Sequence, residues 1–430
     1  MMKRRTLSAT LGLLVMASMA FAEVPAGITA TLTVYQWDNP QIIASTDKAI
    51  ERFAGRFPNV TVKTLFGTPA NGWGEYSNGF LNELATGNKV DVFATAIEGF
   101  EEIAGKGLLM NLDALVEGDP AASAVFNEIE PNLLAGMRSR VSGDLNYFPT
   151  EWNNIVVYYN MNMFDEAGID YPADDWTWKD FAATAQALTV KDDNGNVSRF
   201  GFALPGGNFG LQPWLLTNNT GYLDSTWTKV TVSSPEFRES LQFISDLIHV
   251  DGSTASFAMT GYQDDKLAAG LIAMSTAGHW PVPSLRAAGN ERIGVANFPR
   301  NKVATTVFGI GGVGVTAASE NPDLAWEFVQ ELTGEFYQQE LADSNVSIPS
   351  WRRFAVSDEW TAWPDHAERF YDSAAVAIPV PSPGNFAEME EIFMRHLEAY
   401  LTENQDLDTT IAAMEREMTR SMERASKKQN

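Results

Sequence analysis

Residues 31–57 place a β-strand before a helix. They contain the alternating segment Thr31-Leu-Thr-Val-Tyr-Gln-Trp37 and then Asp47-Lys-Ala-Ile-Glu-Arg-Phe-Ala-Gly-Arg-Phe57, whose apolar residues have helical spacing. A second strand at 60–66, a helix at 79–85 and a short buried strand at 90–95 follow. Strands that alternate with helices predict an α/β fold with a mostly parallel sheet, which binds ligands at the carboxyl ends of its strands.

The same alternation continues through the rest of the chain. A second αβ unit is expected to begin with the strand in residues 147–160, which enters a helix at Met163. Thr177 is the expected N-cap of the next helix, and the Asn-Gly pair in residues 191–196 predicts a turn before a strand at 200–204. Further helices are predicted at 235–250, 263–269, 321–332, 386–402 and 407–424, and further strands at 271–276, 292–299 and 306–317.

The N-terminus has the three-part pattern of a secretory signal peptide. Residues 1–5 carry three positive charges, residues 7–19 are mostly apolar, and Ala20-Phe21-Ala22 is a cleavage site that precedes Glu23. Thirteen helical residues extend about 20 Å, too short for a hydrocarbon core of ~30 Å. We therefore expect residues 1–22 to be removed and the mature chain to lie outside the cytoplasm.

Composition excludes several classes of function. The 430 residues suggest two or three domains, and 30 basic against 55 acidic residues give a net charge of −25, which argues against a nucleic-acid partner. There is no cysteine, which excludes disulfides, thiol nucleophiles, cysteine-ligated metals and a lipid anchor on an N-terminal cysteine.

Motifs for cofactors and catalysis are weak. Gly309-Ile-Gly-Gly-Val-Gly314 matches a dinucleotide pattern but lies inside an apolar run, which favours a flexible strand or hinge. Asp192, Asn194 and Asn196 are spaced like the start of a calcium loop that lacks its glycine and its final glutamate, so a hairpin turn is expected. The four histidines lack metal-ligand spacing, and the sequence predicts neither a metal nor a cofactor. A pair of carboxylates acting on a sugar stays open as an enzymatic alternative.

The tryptophans give the clearest indication of what the protein binds. Six of the twelve tryptophans stand beside Pro, Gly, Asn or charged residues at loop-like positions, and indole faces stack on the apolar face of a pyranose while polar neighbours bind its hydroxyls. For any single tryptophan, core packing is the alternative. The six lie in the segments Trp37-Asp38, Gly72-Trp73-Gly74, Glu151-Trp152-Asn153-Asn154, Gln212-Pro213-Trp214, Gly278-His279-Trp280 and Pro349-Ser-Trp351-Arg352-Arg353.

Seven segments in order resemble the solute-binding proteins of bacterial ABC importers, in the carbohydrate-binding family that includes maltose-binding protein. Together they extend over nearly all of the mature chain. They are residues 85–93, 107–113, Val157-Tyr-Tyr-Asn160 with 164–168, Trp176-Thr-Trp-Lys-Asp-Phe181, Ala273-Met-Ser-Thr-Ala-Gly-His-Trp280, Asn321-Pro-Asp-Leu-Ala-Trp-Glu-Phe-Val329 and Ser347-Ile-Pro349.

The resemblance implies a two-lobed periplasmic-binding-protein fold with crossing hinge strands and a central cleft. By position, lobe 1 is residues 29–152 plus 312–345 and lobe 2 is residues 153–308 plus 346–430. The glycine-rich segment with Gly311 then falls at a crossing. The resemblance and the tryptophan segments together give as ligand-binding residues Trp37, Asp38, Trp73, Thr95, Glu98, Glu151, Trp152, Asn153, Trp214, Trp280, Gly311, Arg352, Asn385 and Phe386.

The function that follows is that of a periplasmic receptor which delivers a carbohydrate to the membrane permease subunits of an ABC importer, acts as a monomer and does no chemistry. Members of the family without a lipid anchor diffuse in a periplasm, which agrees with the absence of cysteine. Two alternatives stay open: the same fold binding a glycerophosphodiester, polyol or polyamine, and a secreted glycoside-active enzyme.

Overall fold

The computed structural model describes residues 24–69, 72–255 and 263–429. The predicted signal peptide, residues 1–22, lies outside the described residues. Among the residues that are described, no helix combines the length and hydrophobicity needed to cross a bilayer.

The described residues form twelve strands. In chain order they are β1 (Ala30–Trp37), β2 (Val60–Gly67), β3 (Val92–Ala96), β4 (Phe148–Asn154), β5 (Val156–Asn160), β6 (Val190–Lys191), β7 (Val197–Ala203), β8 (Ile272–Ala277), β9 (Ile293–Ala296), β10 (Val307–Val315), β11 (Ile348–Pro349) and β12 (Ile378–Pro379).

Helices connect and cover these strands. They are α1 (Pro40–Arg56), α2 (Trp73–Ala85), α3 (Ile97–Ala104), α4 (Asp113–Gly118), α5 (Pro120–Val125), α6 (Pro131–Leu134), α7 (Met161–Ala167), α8 (Trp178–Leu188), α9 (Asn208–Leu216), α10 (Pro235–His249), α11 (Asp264–Ala268), α12 (Val282–Ala287), α13 (Pro322–Thr333), α14 (Glu335–Ser344), α15 (Arg352–Ala355), α16 (Glu368–Asp372), α17 (Phe386–Leu401) and α18 (Leu407–Gln429).

The first sheet has the order β11-β4-β10-β3-β1-β2, and β12 also pairs with β10. Strand β1 is parallel to β2 and β3, as the alternating pattern of residues 31–95 predicts. Strand β10 is antiparallel to both β3 and β4, so the sheet is mixed rather than mostly parallel. Strands β5 to β9 of the second sheet lie between β4 and β10 in the chain. No short strand–helix–strand connection therefore fixes the direction of β10 in the first sheet.

The second sheet has the order β6-β7-β8-β5-β9. Strand β7 is parallel to β8, whereas β5 is antiparallel to both of its neighbours. Only Ile155 separates β4 in the first sheet from β5 in the second, so the chain crosses between the sheets almost without a loop. The predicted α/β fold with two units and crossing strands is confirmed, while the residue boundaries of the two lobes stay a prediction.

Local sequence explains how several elements begin. Asn39 caps α1 by accepting hydrogen bonds from the backbone N–H groups of Gln41 and Ile42. Thr177 caps α8 in a capping box with Asp180, as predicted. Asp192 accepts from the N–H groups of Asn194 and Asn196 in the turn between β6 and β7, so this segment is a hairpin turn, as expected.

The helices form layers around both sheets. Helices α13 and α14 pack with α1 against the first sheet, and α8 packs on β7 of the second. Helix α17 contacts α2 and α3 on one side and α9 and α10 on the other, so it touches both units.

Candidate ligand-binding site

A cavity of about 1670 Å³ lies between the two units. One wall comes from the ends of β1 and β3, the start of α2 and the strands β4 and β10, and the other includes the start of α9 and the loop before α12. Helices α17 and α18 contribute a third side. This volume exceeds that of an ordinary pocket for a drug-sized molecule and can hold an oligosaccharide.

Two indoles meet on the first wall. Trp37 ends β1 and Trp73 opens α2, and their rings form an edge-to-face pair with centroids 5.4 Å apart. Tyr76, one turn further along α2, completes the cluster at 5.4 Å from Trp73. Because its hydroxyl donates to the carbonyl of Ala94 at 2.8 Å, this ring fixes the cluster to the first sheet.

Trp280 occupies the second wall, in the loop that follows β8. Its six-membered ring lies over Gly278, where a Cβ would be 2.2 Å from a ring carbon, so only glycine allows this packing. Phe209 at the start of α9 lies 6.3 Å from Trp280 between ring centroids. Aromatic surfaces therefore line the cavity from both units.

His279, the residue before Trp280, is buried and holds this loop in place. Its backbone N–H donates to Asn153 Oδ1 at 2.8 Å, and its ring stacks on Trp360 with centroids 4.3 Å apart. Burial lowers the pKa of His279 to about 3, so the imidazole is neutral and its Nδ1 hydrogen-bonds with the carbonyl of Asn345 at 3.0 Å. Asn153 thus lines the cavity and also holds the loop that carries Trp280.

The glycine-rich segment forms the central strand β10 and not a dinucleotide turn. A Cβ on Gly309 would lie 3.0 Å from a carboxylate oxygen of Glu98, and one on Gly311 would lie 2.7 Å from Glu151. The same Cβ on Gly311 would lie 3.5 Å from the ring of Trp37. The glycines therefore make room on the strand for two carboxyl groups and an indole of the cavity.

Three carboxyl groups of the cavity are perturbed by their surroundings. Burial raises the pKa of Glu98 to about 8 and that of Glu151 to about 7, and Glu390 also raises the pKa of Glu98 by charge repulsion. Burial raises the pKa of Glu390 to about 7, against the hydrogen bond from the Gly74 N–H. At neutral pH these groups titrate, so each can donate or accept a hydrogen bond.

The structure brings together most of the side chains that the sequence predicts for the site. Trp37, Asp38, Trp73, Glu98, Glu151, Trp152, Asn153, Trp280, Gly311 and Asn385 all line the cavity. Their roles in binding stay a prediction.

Four predicted residues lie outside the cavity. Trp214 is fully buried in the second unit, where it packs against Phe181, Phe298 and other rings, because it lies on the inner face of α9. Phe386 is fully buried at the start of α17, and Thr95 is buried in β3 with its hydroxyl donating to the carbonyl of Ala96. Arg352 opens α15 on the exposed surface, with its guanidinium 6.0 Å from the ring of Tyr371.

The lining residues that were not predicted include two groups beside the predicted ones. Gly206 and Gly207 lead into Asn208 and Phe209 at the start of α9, and all four line the cavity. A Gly-Gly pair between a strand and a helix is the signal that could have identified them. Glu390 lies within the amphipathic pattern of α17, where one acidic residue has no signal that separates it from its neighbours.

Comparisons with known proteins point to one family. The family model described as bacterial extracellular solute-binding protein matches residues 37–339. A substrate-binding protein of Listeria monocytogenes solved with cycloalternan is similar, with 22% identity, a TM-score of 0.78, and coverage of 93% of this chain and 99% of that one. The GacH receptor of Streptomyces glaucescens, solved unliganded and with acarbose, has 20% identity, a TM-score of 0.77, and coverage of 92% and 99%. Maltose-bound MalE3 of T. maritima has 18% identity, a TM-score of 0.78, and coverage of 91% and 99%.

Proposed function

Because this chain belongs to the family of bacterial extracellular solute-binding proteins, we propose that it is the receptor of an ABC importer and captures a carbohydrate between its two units. The loaded form then delivers the sugar to the membrane permease subunits. The receptor binds and releases its solute without changing it, and it acts as a monomer.

The observation that carries this proposal is the pairing of indoles and polar groups on opposite walls of one cavity. Trp37 and Trp73 on one side and Trp280 on the other offer flat apolar surfaces for pyranose rings. Asp38, Glu151 and Asn153 beside them offer acceptors and donors for hydroxyl groups.

Similar structures support the same class of ligand. The proteins named above were solved with cycloalternan, acarbose and maltose, which are all carbohydrates. We transfer only the ligand class, carbohydrate, to this protein, because the residues that line the cavity determine which sugar fits.

The proposal also places the protein in the periplasm after removal of residues 1–22. The secreted chain then begins at Glu23, and intact-mass measurement of periplasmic material checks this. A membrane fraction that retains residues 1–22 would contradict the periplasmic location.

A thermal-shift screen tests the binding function. A ligand present at 100 times its Kd adds about 2.7 kcal/mol to the free energy of unfolding, which raises the melting temperature of a chain this size by a few degrees. The panel contains mono- and oligosaccharides, polyols, polyamines and glycerophosphates. We expect a carbohydrate to give the largest shift.

The same samples separate a receptor from a glycosidase. After incubation, chromatography of the bound oligosaccharide should recover it unaltered. Release of a cleaved product would contradict the receptor proposal, and a shift by phosphorylated compounds alone would contradict the carbohydrate class.

A further inference from the structure

Two surface loops, one from each unit, meet at a single arginine. The first loop is residues 138–145, between α6 and β4 of the first unit, and the second is residues 223–230, between α9 and α10 of the second. Arg140 of the first loop places its guanidinium carbon 3.8 Å from the ring centroid of Trp227 in the second. Its Nη1 also donates to the backbone carbonyl of Ser225 at 2.8 Å. One side chain therefore joins the two units by two contacts.

The first loop is attached to the wall of the cavity. Glu101 of α3, which is 3% exposed and lines the cavity, accepts from the Ser139 hydroxyl at 2.7 Å and from the Arg140 backbone N–H at 3.0 Å. The Ser139 Oγ in turn accepts from the backbone N–H groups of Val141 and Ser142. The backbone that carries Arg140 is therefore held in place by α3.

The second loop closes on itself around Asp224. The carboxyl group of Asp224 accepts from the backbone N–H groups of Thr228 and Lys229, and its carbonyl accepts from the N–H of Trp227 at 2.9 Å. Trp227 has a backbone φ of +59°, a conformation that large side chains rarely adopt, so the loop has to hold it there. Its indole is 8% exposed although it belongs to a surface loop. The loop therefore presents the ring in one fixed position, against Arg140.

The contact between the loops is separate from the solute cavity. Arg140, Ser225 and Trp227 do not occur among the described residues that line the cavity. None of the three is therefore placed to touch a solute held there. An effect of this contact on binding has to act through the relative position of the two units.

The contact favours the state in which the units are together. Separation of the units would break the hydrogen bond to Ser225 and uncover the face of Trp227. A contact present in only one of two states shifts the equilibrium toward that state. The planar guanidinium of arginine suits stacking on an indole, and a partly desolvated pair of this kind changes such an equilibrium by about 5-fold or more.

We propose that Arg140 and Trp227 form a latch between the two units, and that this latch keeps a closed form of the protein populated without solute. The inference rests on the proposed function in one respect, because a receptor has to open to admit its solute. Helix α17 also touches both units, so the latch adds to closure and is not its only source. A larger closed fraction raises the apparent affinity for a solute that the closed form holds.

A distance measurement across the two loops tests the latch. The sequence contains no cysteine, so two introduced thiols can be spin-labelled specifically. Val141→Cys and Lys229→Cys place one label on each loop at an exposed side chain. Electron paramagnetic resonance on the ligand-free protein should show a short distance for joined loops and a longer one for separated loops. We expect Arg140→Ala to lower the ratio of short to long distances about 5-fold.

A double-mutant cycle shows whether the two side chains act together. Trp227→Ala should lower the ratio as much as Arg140→Ala does, and the double variant should lower it no further. Arg140→Lys keeps the charge without the planar group, and Trp227→Phe keeps an aromatic face, so both should give intermediate ratios. These two conservative variants decide the question if Trp227→Ala fails to fold.

Arg292→Ala is the matched control in the same labelled protein. Arg292 is an exposed arginine that pairs with Asp165 inside the second unit, so its removal changes the charge equally without touching the latch. The ratio of short to long distances should stay that of the unchanged protein.

The outcomes separate the latch from the binding function. A ligand-free protein that shows only separated loops overturns the latch, and so does an unchanged distance distribution in Arg140→Ala. A double variant whose effect equals the product of the two single effects indicates independent contacts and also overturns it. The measurement uses no solute. Failure of every sugar in the thermal-shift screen would therefore contradict the carbohydrate function while the result on the latch stands.

Discussion

Trp280 and Trp214 show how differently two tryptophans with similar sequence neighbours can be placed. Each stands next to a proline, and each was expected in the cleft. Trp280 lies over Gly278 at the cavity, whereas Trp214 is surrounded by aromatic rings of the second core. Neighbouring residues indicate that a tryptophan is near a turn, but the face of its element that the ring occupies within its own unit decides whether the ring reaches the cleft.

Trp280→Ala should therefore weaken sugar binding more than it affects folding. Loss of one stacking surface removes about 1 to 3 kcal/mol of binding free energy, which corresponds to roughly 5- to 150-fold in Kd. Titration calorimetry gives the affinity, and a thermal melt of the empty variant gives its stability, which should change little.

Trp214→Ala is the matched control for that experiment. Because the ring is fully buried, its removal should lower the free energy of unfolding by about 3 to 5 kcal/mol. The affinity per folded molecule should stay near that of the unchanged protein. The opposite pattern, with Trp280→Ala unstable but binding normally, would remove Trp280 from the site.

Glu98 predicts a pH dependence of stability. Its pKa is raised from 4.5 to about 8, so between these values the folded state binds the proton more tightly than the unfolded state. The contribution of Glu98 to stability is therefore lost as the pH rises from about 5 through about 8. The groups that share its surroundings are Glu390 and the phenols of Tyr147 and Tyr222, and burial raises the pKa of both phenols, so they stay neutral in this range.

Glu98→Gln removes this effect together with the charge coupling between Glu98 and Glu390. The free energy of unfolding of the variant minus that of the unchanged protein should rise from pH 5 to pH 8, as measured by denaturant unfolding at both values. Glu51→Gln, on an exposed face of α1, should give a difference without that trend. A difference for Glu98→Gln that is equal at pH 5 and pH 8 would show that the buried carboxyl is not protonated in the folded state.

At the scale of an element, strand β10 combines a structural and a binding role. Gly312 packs against the backbone of β4, where a Cβ would lie 2.2 Å from the carbonyl oxygen of Phe148. Gly311 faces the flexible end of Glu151 instead. Successive residues of a strand face opposite sides of the sheet. Gly311 therefore makes room for a side chain of the cavity, whereas Gly312 allows close packing against β4.

Gly311→Ala and Gly312→Ala should separate these tasks. Gly311→Ala displaces the carboxyl group of Glu151 and should lower the affinity about 5-fold or more, near 1 kcal/mol, with a modest effect on the melting temperature. Gly312→Ala should destabilise the fold severely because a backbone carbonyl cannot move aside.

Gly55→Ala in α1 is the control for that pair. A Cβ there meets open space, and the variant should be as stable as the unchanged protein or up to ~1 kcal/mol more stable. If Gly311→Ala destabilises the empty protein as much as Gly312→Ala does, the proposed role of Gly311 at the cavity is contradicted.

Elements with local signals could be predicted from the sequence. The capping box at Thr177 and the hairpin turn at Asp192 are encoded within a few residues, and both were predicted. The start of α2 was not, because Gly72 and Gly74 flank Trp73 and resemble a loop. In the folded chain the helix begins at Trp73, where Gly74 allows close contact with α17.

At the scale of the whole molecule, the two-unit α/β architecture follows from the order of strands and helices. The mixed direction of the first sheet did not follow, since β10 pairs with β3 and β4 across long stretches of chain. Periodicity predicts which segments are strands, but pairing between distant strands depends on contacts that one sequence does not reveal.

The same distinction applies to the site. Trp37 and Asp38 line the cavity, and they could be predicted because a tryptophan with a polar neighbour follows the first strand and the family resemblance places ligand contacts there. Glu390 and Asn208 reach the cavity only because α17 and α9 approach it from other directions. Residues whose position depends on the packing of whole helices therefore had to come from the structure.

The central claim is that a carbohydrate is held in the cavity between the two units. Its most direct test is a crystal structure of the protein with the sugar that gives the largest thermal shift. We predict density for an unaltered sugar with a ring face against Trp280 or Trp37 and hydroxyl groups near Asn153. A sugar bound elsewhere on the surface, with this cavity empty of it, would contradict the account.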